Sequence, residues 1–250
     1  MIKSAFLQKV GHEGHSISFD NLPSLLIKMA YTFPFENRSV LNKQSYTLDQ
    51  HGLKAHLLEG NRGGLCYDLN PLLYYVLKEA GLFVQLIQGT VYNKEAADWV
   101  IDGTHVAIVL IHESERFLID AGFGANLPLR PVPFTGEWVE SPFLRFRVKE
   151  EETAKGTHLL QLDRGSGAET GYAFTLKEMN EQTLYKIRHE IYENEASPFN
   201  KRPLASKLTK TGRIVVTEDH VIIHENGDVS KKSLPQSFEN YVQTLIPPTS

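Results

Sequence analysis

The chain is poor in cysteine: among its 250 residues there is one, Cys66. A single thiol excludes an internal disulfide, and with it the small stapled scaffolds of secreted proteins. An excess of one charge sign is also missing. The formal net charge is −4, so nothing in the overall balance points to nucleic acid or to an anionic membrane, and neither is expected as a partner. Long apolar runs are absent as well. No stretch approaches the roughly 18–20 apolar residues of a membrane span, and residues 1–21 hold no apolar segment of signal-peptide length. The expectation is a cytoplasmic protein. Internal repeats, low-complexity tracts and Gly/Ser linkers are lacking too, which argues against a solenoid or a string of tethered modules.

What is present changes character along the chain. Residues 1–80 read as helical. Leu22, Leu25, Leu26 and Met29 follow the i, i+3, i+4, i+7 rule, with Asp20 as the expected N-cap. Thr47 and Gln50 form an expected capping box for a second helix that Gly60 ends. Leu69, Leu72, Leu73, Val76 and Leu77 make a third stripe, stopped by Gly81, with Pro71 expected in that helix's first turn. Residues 81–177 read as strands, near 82–92, 104–111, 116–120, 143–148, 158–162 and 172–176. Successive strands without helices between them suggest an antiparallel sheet or barrel. Residues 178–250 start with a helix carrying Leu184, Ile187 and Ile191. Strands follow at 213–217 and 220–224, then an Asn226-Gly227 turn and a closing helix.

Arg62-Gly63-Gly64-Leu65-Cys66 places the one thiol at the expected start of the third helix. A helix start offers free N–H groups and partial positive charge, which favour thiolate over thiol and suit an oxyanion. A lone cysteine is also often a small buried hydrophobe, and this segment alone serves both readings. His105 opens the apolar run Val106 to Ile111, and Asp120 closes the run Phe117 to Ile119. The polar stretch 112–116 turns the chain between them, so a register offset of a residue or two brings the pair together. Asp120 then accepts from one imidazole nitrogen while the other faces Cys66. Each residue alone has a bland structural explanation; the ordered set Cys, His, Asp is more specific.

In this order and with these neighbours the sequence resembles the arylamine N-acetyltransferase family. The resemblance rests on Arg62-Gly63-Gly64-Leu65-Cys66, Thr104-His105 and Asp120-Ala121-Gly122-Phe123-Gly124. Phe33-Pro34-Phe35-Glu36-Asn37 and Ser197-Pro198-Phe199 match as well. It implies an α+β fold: a helical N-terminal domain (1–80) carrying the nucleophile, a β-barrel (81–177) carrying His and Asp, and an α/β lid (178–250), around a cysteine-protease-like catalytic core. It implies Cys66 as acylated nucleophile, His105 as its proton partner and Asp120 as the orienting carboxylate. It further implies acetyl-CoA as co-substrate, no permanently bound cofactor, and aromatic amines or hydrazines as acceptors. Phe35, Gly103, Thr104, Phe123 and Gly124 are the expected substrate- or CoA-binding residues. The chain departs from the family in having Asp68 where glutamate is common and Leu65 where an aromatic is frequent. It is also somewhat short, which bears on the C-terminal contribution to coenzyme A binding.

Two alternatives share the triad: a cysteine hydrolase or thioesterase, and an intramolecular amide synthase of the same family. A non-catalytic binding protein on the same scaffold is a third. Gly122-Phe123-Gly124 lacks the third glycine and the following helix of a dinucleotide loop. His220 and His224 are too far apart on a strand to share an ion, and His12 and His15 read as an exposed loop, so no metal is expected. Phe33, Phe35, Phe123 and Phe199 are candidates to line a pocket for a flat amine.

Overall fold

The computed structural model describes residues 1–247; the last three residues of the expected 178–250 lid lie outside it. The first third holds α1 (Ile2–Lys9), α2 (Leu22–Thr32), α3 (Arg38–Leu41), α4 (Gln50–Leu53) and α5 (Cys66–Glu79), with one two-residue strand, β1 (Phe35–Glu36). The apolar stripes of α2 and α5 are buried together in one core, as their spacing requires. The helix starts differ from expectation. A 3₁₀ turn over Phe19–Asn21, capped by Ser18, precedes α2, so Asp20 lies inside that turn and does not cap the helix. Asp49, not Thr47, caps α4: its carboxylate accepts the Gly52 N–H at 2.8 Å, and the Thr47 hydroxyl merely braces that carboxylate. The chain then widens into a π-helical turn over Lys54–Glu59 before Gly60. Pro71 is the sixth residue of α5, beyond the first turn, because the helix already starts at Cys66. It removes the N–H that would have reached the Tyr67 carbonyl.

The middle of the chain supplies β2 (Phe83–Asn93), β3 (Asp98–Trp99), β4 (His105–His112), β5 (Glu115–Ile119), β6 (Val132–Pro133), β7 (Val139–Glu140), β8 (Arg145–Thr153), β9 (Gly156–Asp163) and β10 (Ala168–Glu178). They form a sheet ordered β6-β5-β4-β2-β10-β9-β8-β7, with β3 paired only to β2. Val132 near one edge shares an apolar interior with Phe146 and Val148 near the other, so the sheet curls into a nearly closed barrel. β4 is apolar on both faces because both are covered. Ala107 and Val109 fill the barrel, while Val106, Ile108 and Leu110 pack into the helical core that contains α5.

The last third comprises α6 (Glu181–Glu193), β11 (Leu204–Leu208), β12 (Gly212–Thr217), β13 (His220–Glu225), β14 (Asp228–Ser233) and α7 (Phe238–Thr244). Leu184, Ile187 and Ile191 of α6 join the helical core. The four late strands extend a sheet whose first member is β1, in the order β1-β11-β12-β13-β14. The β13–β14 turn has Asn226 and Gly227 at φ 50° and 92°, as the Asn-Gly pair predicts. β1 is the junction. One edge pairs with β11, and the other meets the glycine loop through a parallel bridge from Phe35 to Gly64. Asn37 secures it further. Its amide donates to the carbonyls of Phe199 and Arg202, both at 2.8 Å, and accepts the Leu204 N–H at 2.9 Å. Segments far apart in sequence therefore meet around Cys66. Among the described residues no helix is long and apolar enough to cross a membrane.

Candidate active site

Cys66 is the first residue of α5, and its side chain is buried. The turn ahead of it is held from inside the helix. Asp68 accepts the Leu65 N–H at 2.9 Å and the Tyr46 hydroxyl at 2.7 Å. Gly64 lies so close that a β-carbon there would come within 2.6 Å of the Asp68 Cβ. Burial is the largest influence on Asp68 and lifts its pKa to about 7 against the two hydrogen bonds. Cys66 Sγ sits 3.4 Å from the Thr104 carbonyl. The first N–H groups of α5 have no intrahelical acceptor, as at any helix start, and are available to an oxyanion.

His105 opens β4, and Asp120 follows β5 directly. The hairpin between them turns at Glu113 and Ser114, both at positive φ, and its ladder pairs His112 with Glu115 and Ile108 with Ile119 without a bulge. Continuing that register, Gly122 faces His105. Asp120 therefore reaches the ring diagonally, two positions short, with His105 Nε2 to Asp120 Oδ2 at 2.7 Å. Nδ1 is the ring nitrogen left for Cys66, whose influence on the ring ranks behind that of Asp120. Both His105 and Asp120 are buried. Burial is the strongest single influence on His105 and disfavours the charged ring. The charge and hydrogen bond of Asp120, followed by those of Cys66, outweigh it and raise the pKa from 6.5 to about 10. The arrangement favours an imidazolium at His105, a positive charge beside the Cys66 side chain.

Asp120 is saturated with donors. Oδ2 also accepts the Tyr172 hydroxyl at 2.9 Å, and Oδ1 accepts the Asn70 amide at 2.9 Å and the Gly122 N–H at 2.8 Å. Burial, then Asp120, pushes the Tyr172 phenol well above 10, so it remains a donor. Asn70 also donates to the Val106 carbonyl at 2.6 Å and accepts the Ala121 N–H at 2.9 Å. One side chain thus ties α5 to β4 and to the loop after β5. Sequence reasoning did not single out Asn70 or Tyr172. Asn70 had a signal, since it lies four residues after Cys66 on the same helix face. Tyr172 had none, because its partner comes from another strand.

A cavity of about 290 Å³ opens over Cys66 and His105. Phe35, Thr104, Phe123 and Gly124 line it, together with Gly122, Val91, Val100, Ile101, Ile191, Ser197, Pro198, Phe199 and Leu204. Gly103 lies behind that wall: its carbonyl accepts from Gln88 at 2.6 Å, and its N–H donates to Thr90 at 2.9 Å. Phe33 is in the helical core, stacked on Phe6 at 6.2 Å, and does not reach the cavity. Gly122 is dictated by closeness, since a β-carbon there would sit 2.7 Å from Cys66 Cα. His12, expected in an exposed loop, is buried and stacked on His15 at 4.7 Å. Packing of the segment after α1 covers it.

A family profile described as N-acetyltransferase matches residues 18–246. The chain belongs to the arylamine N-acetyltransferase family. Members of this family are acyltransferases, and the chain is an enzyme of that kind. It is 48% identical to an uncharacterised acetyltransferase of Bacillus subtilis, covering 97% of this chain and 96% of that one. Arylamine N-acetyltransferase C of Bacillus anthracis shares the fold at a TM-score of 0.93, with 36% identity over 98% of this chain and 96% of its own. An arylamine N-acetyltransferase of Bacillus cereus superposes at a TM-score of 0.91, with 40% identity over 93% of this chain and 92% of its own. The Bacillus cereus enzyme is described as having a unique Cys-His-Glu catalytic triad. In this family member the carboxylate bonded to the histidine is an aspartate, Asp120.

Proposed function

We propose that this enzyme transfers an acetyl group from acetyl-CoA to an aromatic amine or hydrazine by a ping-pong route through acetyl-Cys66. The observation that carries the reading is His105, hydrogen-bonded through Nε2 to the buried Asp120 and sharing the floor of an apolar cavity with Cys66. Cys66 thiolate attacks the thioester carbonyl, and the first N–H groups of α5 stabilise the oxyanion. The carbon–sulfur bond to coenzyme A breaks, and the leaving thiolate takes the proton of His105. Acylation removes the charge on Cys66, and with it part of what holds the ring protonated, so neutral His105 can act as base in the second half. The amine attacks acetyl-Cys66, the amide product departs, and the amine proton returns the pair to thiolate and imidazolium.

Phe35, Phe123, Thr104 and Gly124 contact the substrate in this reading, and Gly103 positions Thr104. A second cavity of about 280 Å³, beyond the loop that carries Gly124, is bordered by Arg213 and by Arg164, which lies 3.6 Å from Glu169, with Glu225 the one acid in its lining. It offers positive charge to a phosphate-bearing donor. In the proposed division of labour, residues 1–80 supply the nucleophile, 81–177 the histidine and aspartate, and 178–250 close the site. A cytoplasmic setting, where a lone thiol stays reduced, belongs to the same proposal.

Intact-mass measurement after mixing with acetyl-CoA, before and after adding an amine panel, tests the reading. The expected result is a gain of one acetyl group on Cys66 that amine removes, with no gain in Cys66→Ala. Hydrolysis of the acyl-enzyme at the same rate with or without amine would make the protein a thioesterase.

A further inference from the structure

We infer that the acceptor half-reaction selects arylamines with an uncharged ring and rejects those bearing a ring carboxylate. The inference rests on the proposed acetyl-Cys66 route and names the acceptor class within it. Its basis is the cavity wall. Apart from the reacting pair Cys66 and His105, no ionisable side chain lines the cavity among the described residues. Phe35 and Phe199 meet edge to face at 5.7 Å on one side, and Phe123 stands across His105 at 5.3 Å. Val100, Ile101 and Leu204 continue the apolar surface. Such a wall gains by burying a ring and has nothing to pair with an anion.

The few other polar side chains in the wall are neutral hydroxyls that carry no charge to offer an anion. Thr104 donates its hydroxyl proton to the Ile101 carbonyl at 2.9 Å, and Ser197 Oγ accepts the Phe199 N–H. His105 Nε2 is committed to Asp120, and in the acetyl-enzyme the ring is the neutral base that serves the amine. Two lysines in nearby turns are also paired: Lys155, between β8 and β9, with Asp102 at 2.7 Å, and Lys94, just after β2, with Glu169 at 2.8 Å. A carboxylate brought in against this wall loses water and finds no lysine or arginine among the lining side chains, a burial that is costly unless the charge is neutralised.

The test compares 4-aminobenzoate with its methyl ester as acceptors for enzyme first acetylated with acetyl-CoA and verified by mass. The two probes share one ring. The carboxylate withdraws electrons less than the ester, so the intrinsic reactivity of the amine favours the acid. A preference for the ester must therefore come from the site. Loss of the acetyl group should be at least ~100-fold faster with the ester, at equal subsaturating concentration. Val100→Lys, at a half-buried position of the wall, should shrink that ratio by roughly tenfold or more by supplying the missing cation. Equal rates with the two probes on fully acetylated enzyme would show that the ring substituent reaches water, and would overturn the inference alone. An unchanged ratio in an acetylatable Val100→Lys would overturn it too. Absence of any acetyl-enzyme would instead bring down the route on which the inference depends.

Discussion

Replacing Asp120 by asparagine should separate the charge of this residue from its shape. The carboxylate takes hydrogen bonds from His105 Nε2, the Tyr172 hydroxyl, the Asn70 amide and the Gly122 N–H. An amide has one acceptor oxygen for these four donors. Its NH₂ must face either the Asn70–Gly122 pair or the His105–Tyr172 pair, and each choice sets donor against donor. A stability loss of about 1–3 kcal/mol follows from the unsatisfied groups. The effect on chemistry is larger. Asp120 supplies the two strongest influences that raise the His105 pKa to about 10 against burial. Without them burial dominates, and the ring is neutral at pH 7. The thiol then loses its counter-charge, and acylation should fall ~10²–10⁴-fold, as for other triad carboxylates. Two assays read this: the coenzyme A burst on mixing with acetyl-CoA, and the pH profile of iodoacetamide alkylation. In the parent protein alkylation should stay fast as pH falls below 7, because His105 keeps its charge, whereas in Asp120→Asn it should fall away with that counter-charge. A folded Asp120→Asn protein with the parent profile and a near-normal burst would refute the reasoning, because some other group would then hold the charge on His105.

Three further outcomes are expected. Gly122→Ala should cost about 10²-fold or more in acylation with the fold retained, because its β-carbon would meet Cys66 Cα at 2.7 Å and shift the nucleophile; burst kinetics with circular dichroism checks this. Tyr172→Phe removes one of Asp120's donors but leaves the bond to His105, so acylation should stay within about tenfold while stability drops by about 1 kcal/mol, read by denaturant melts. Asp68 has a folded pKa raised from 3.8 to about 7, so the folded state binds the proton more tightly than the unfolded chain. Its contribution to stability is fully present below about pH 4 and is lost as pH rises through about 7. Thermal melts across that range should show Asp68→Asn gaining on the parent protein as pH rises, and parallel curves would count against a buried, reluctant carboxyl at this position.

The sequence by itself determined features that depend on local pattern. The stripes of α2, α5 and α6 set which faces are buried, since a 3.6-residue period leaves one apolar side. The apolar run Val106 to Ile111 marked a strand, and Asn226-Gly227 marked the last hairpin. The order of Cys66, His105 and Asp120, each at an element boundary, singled out three residues that the structure brings together; their catalytic roles belong to the proposal. Tertiary structure decided the rest, because the rest depends on segments with no local signature. A strand as short as β1 carries no periodicity, yet it joins the nucleophile loop to β11. Asp49 displaced Thr47 as a cap, and a 3₁₀ turn ahead of α2 took in Asp20, because cap geometry turns on φ and ψ at single residues. Asn70 and Tyr172 gain their roles only when α5 and β10 converge on one carboxylate. The apolar character of the cavity likewise comes from Val91, Ile101, Ile191 and Leu204, on three elements and a loop whose meeting is a property of packing and of no single stretch of chain.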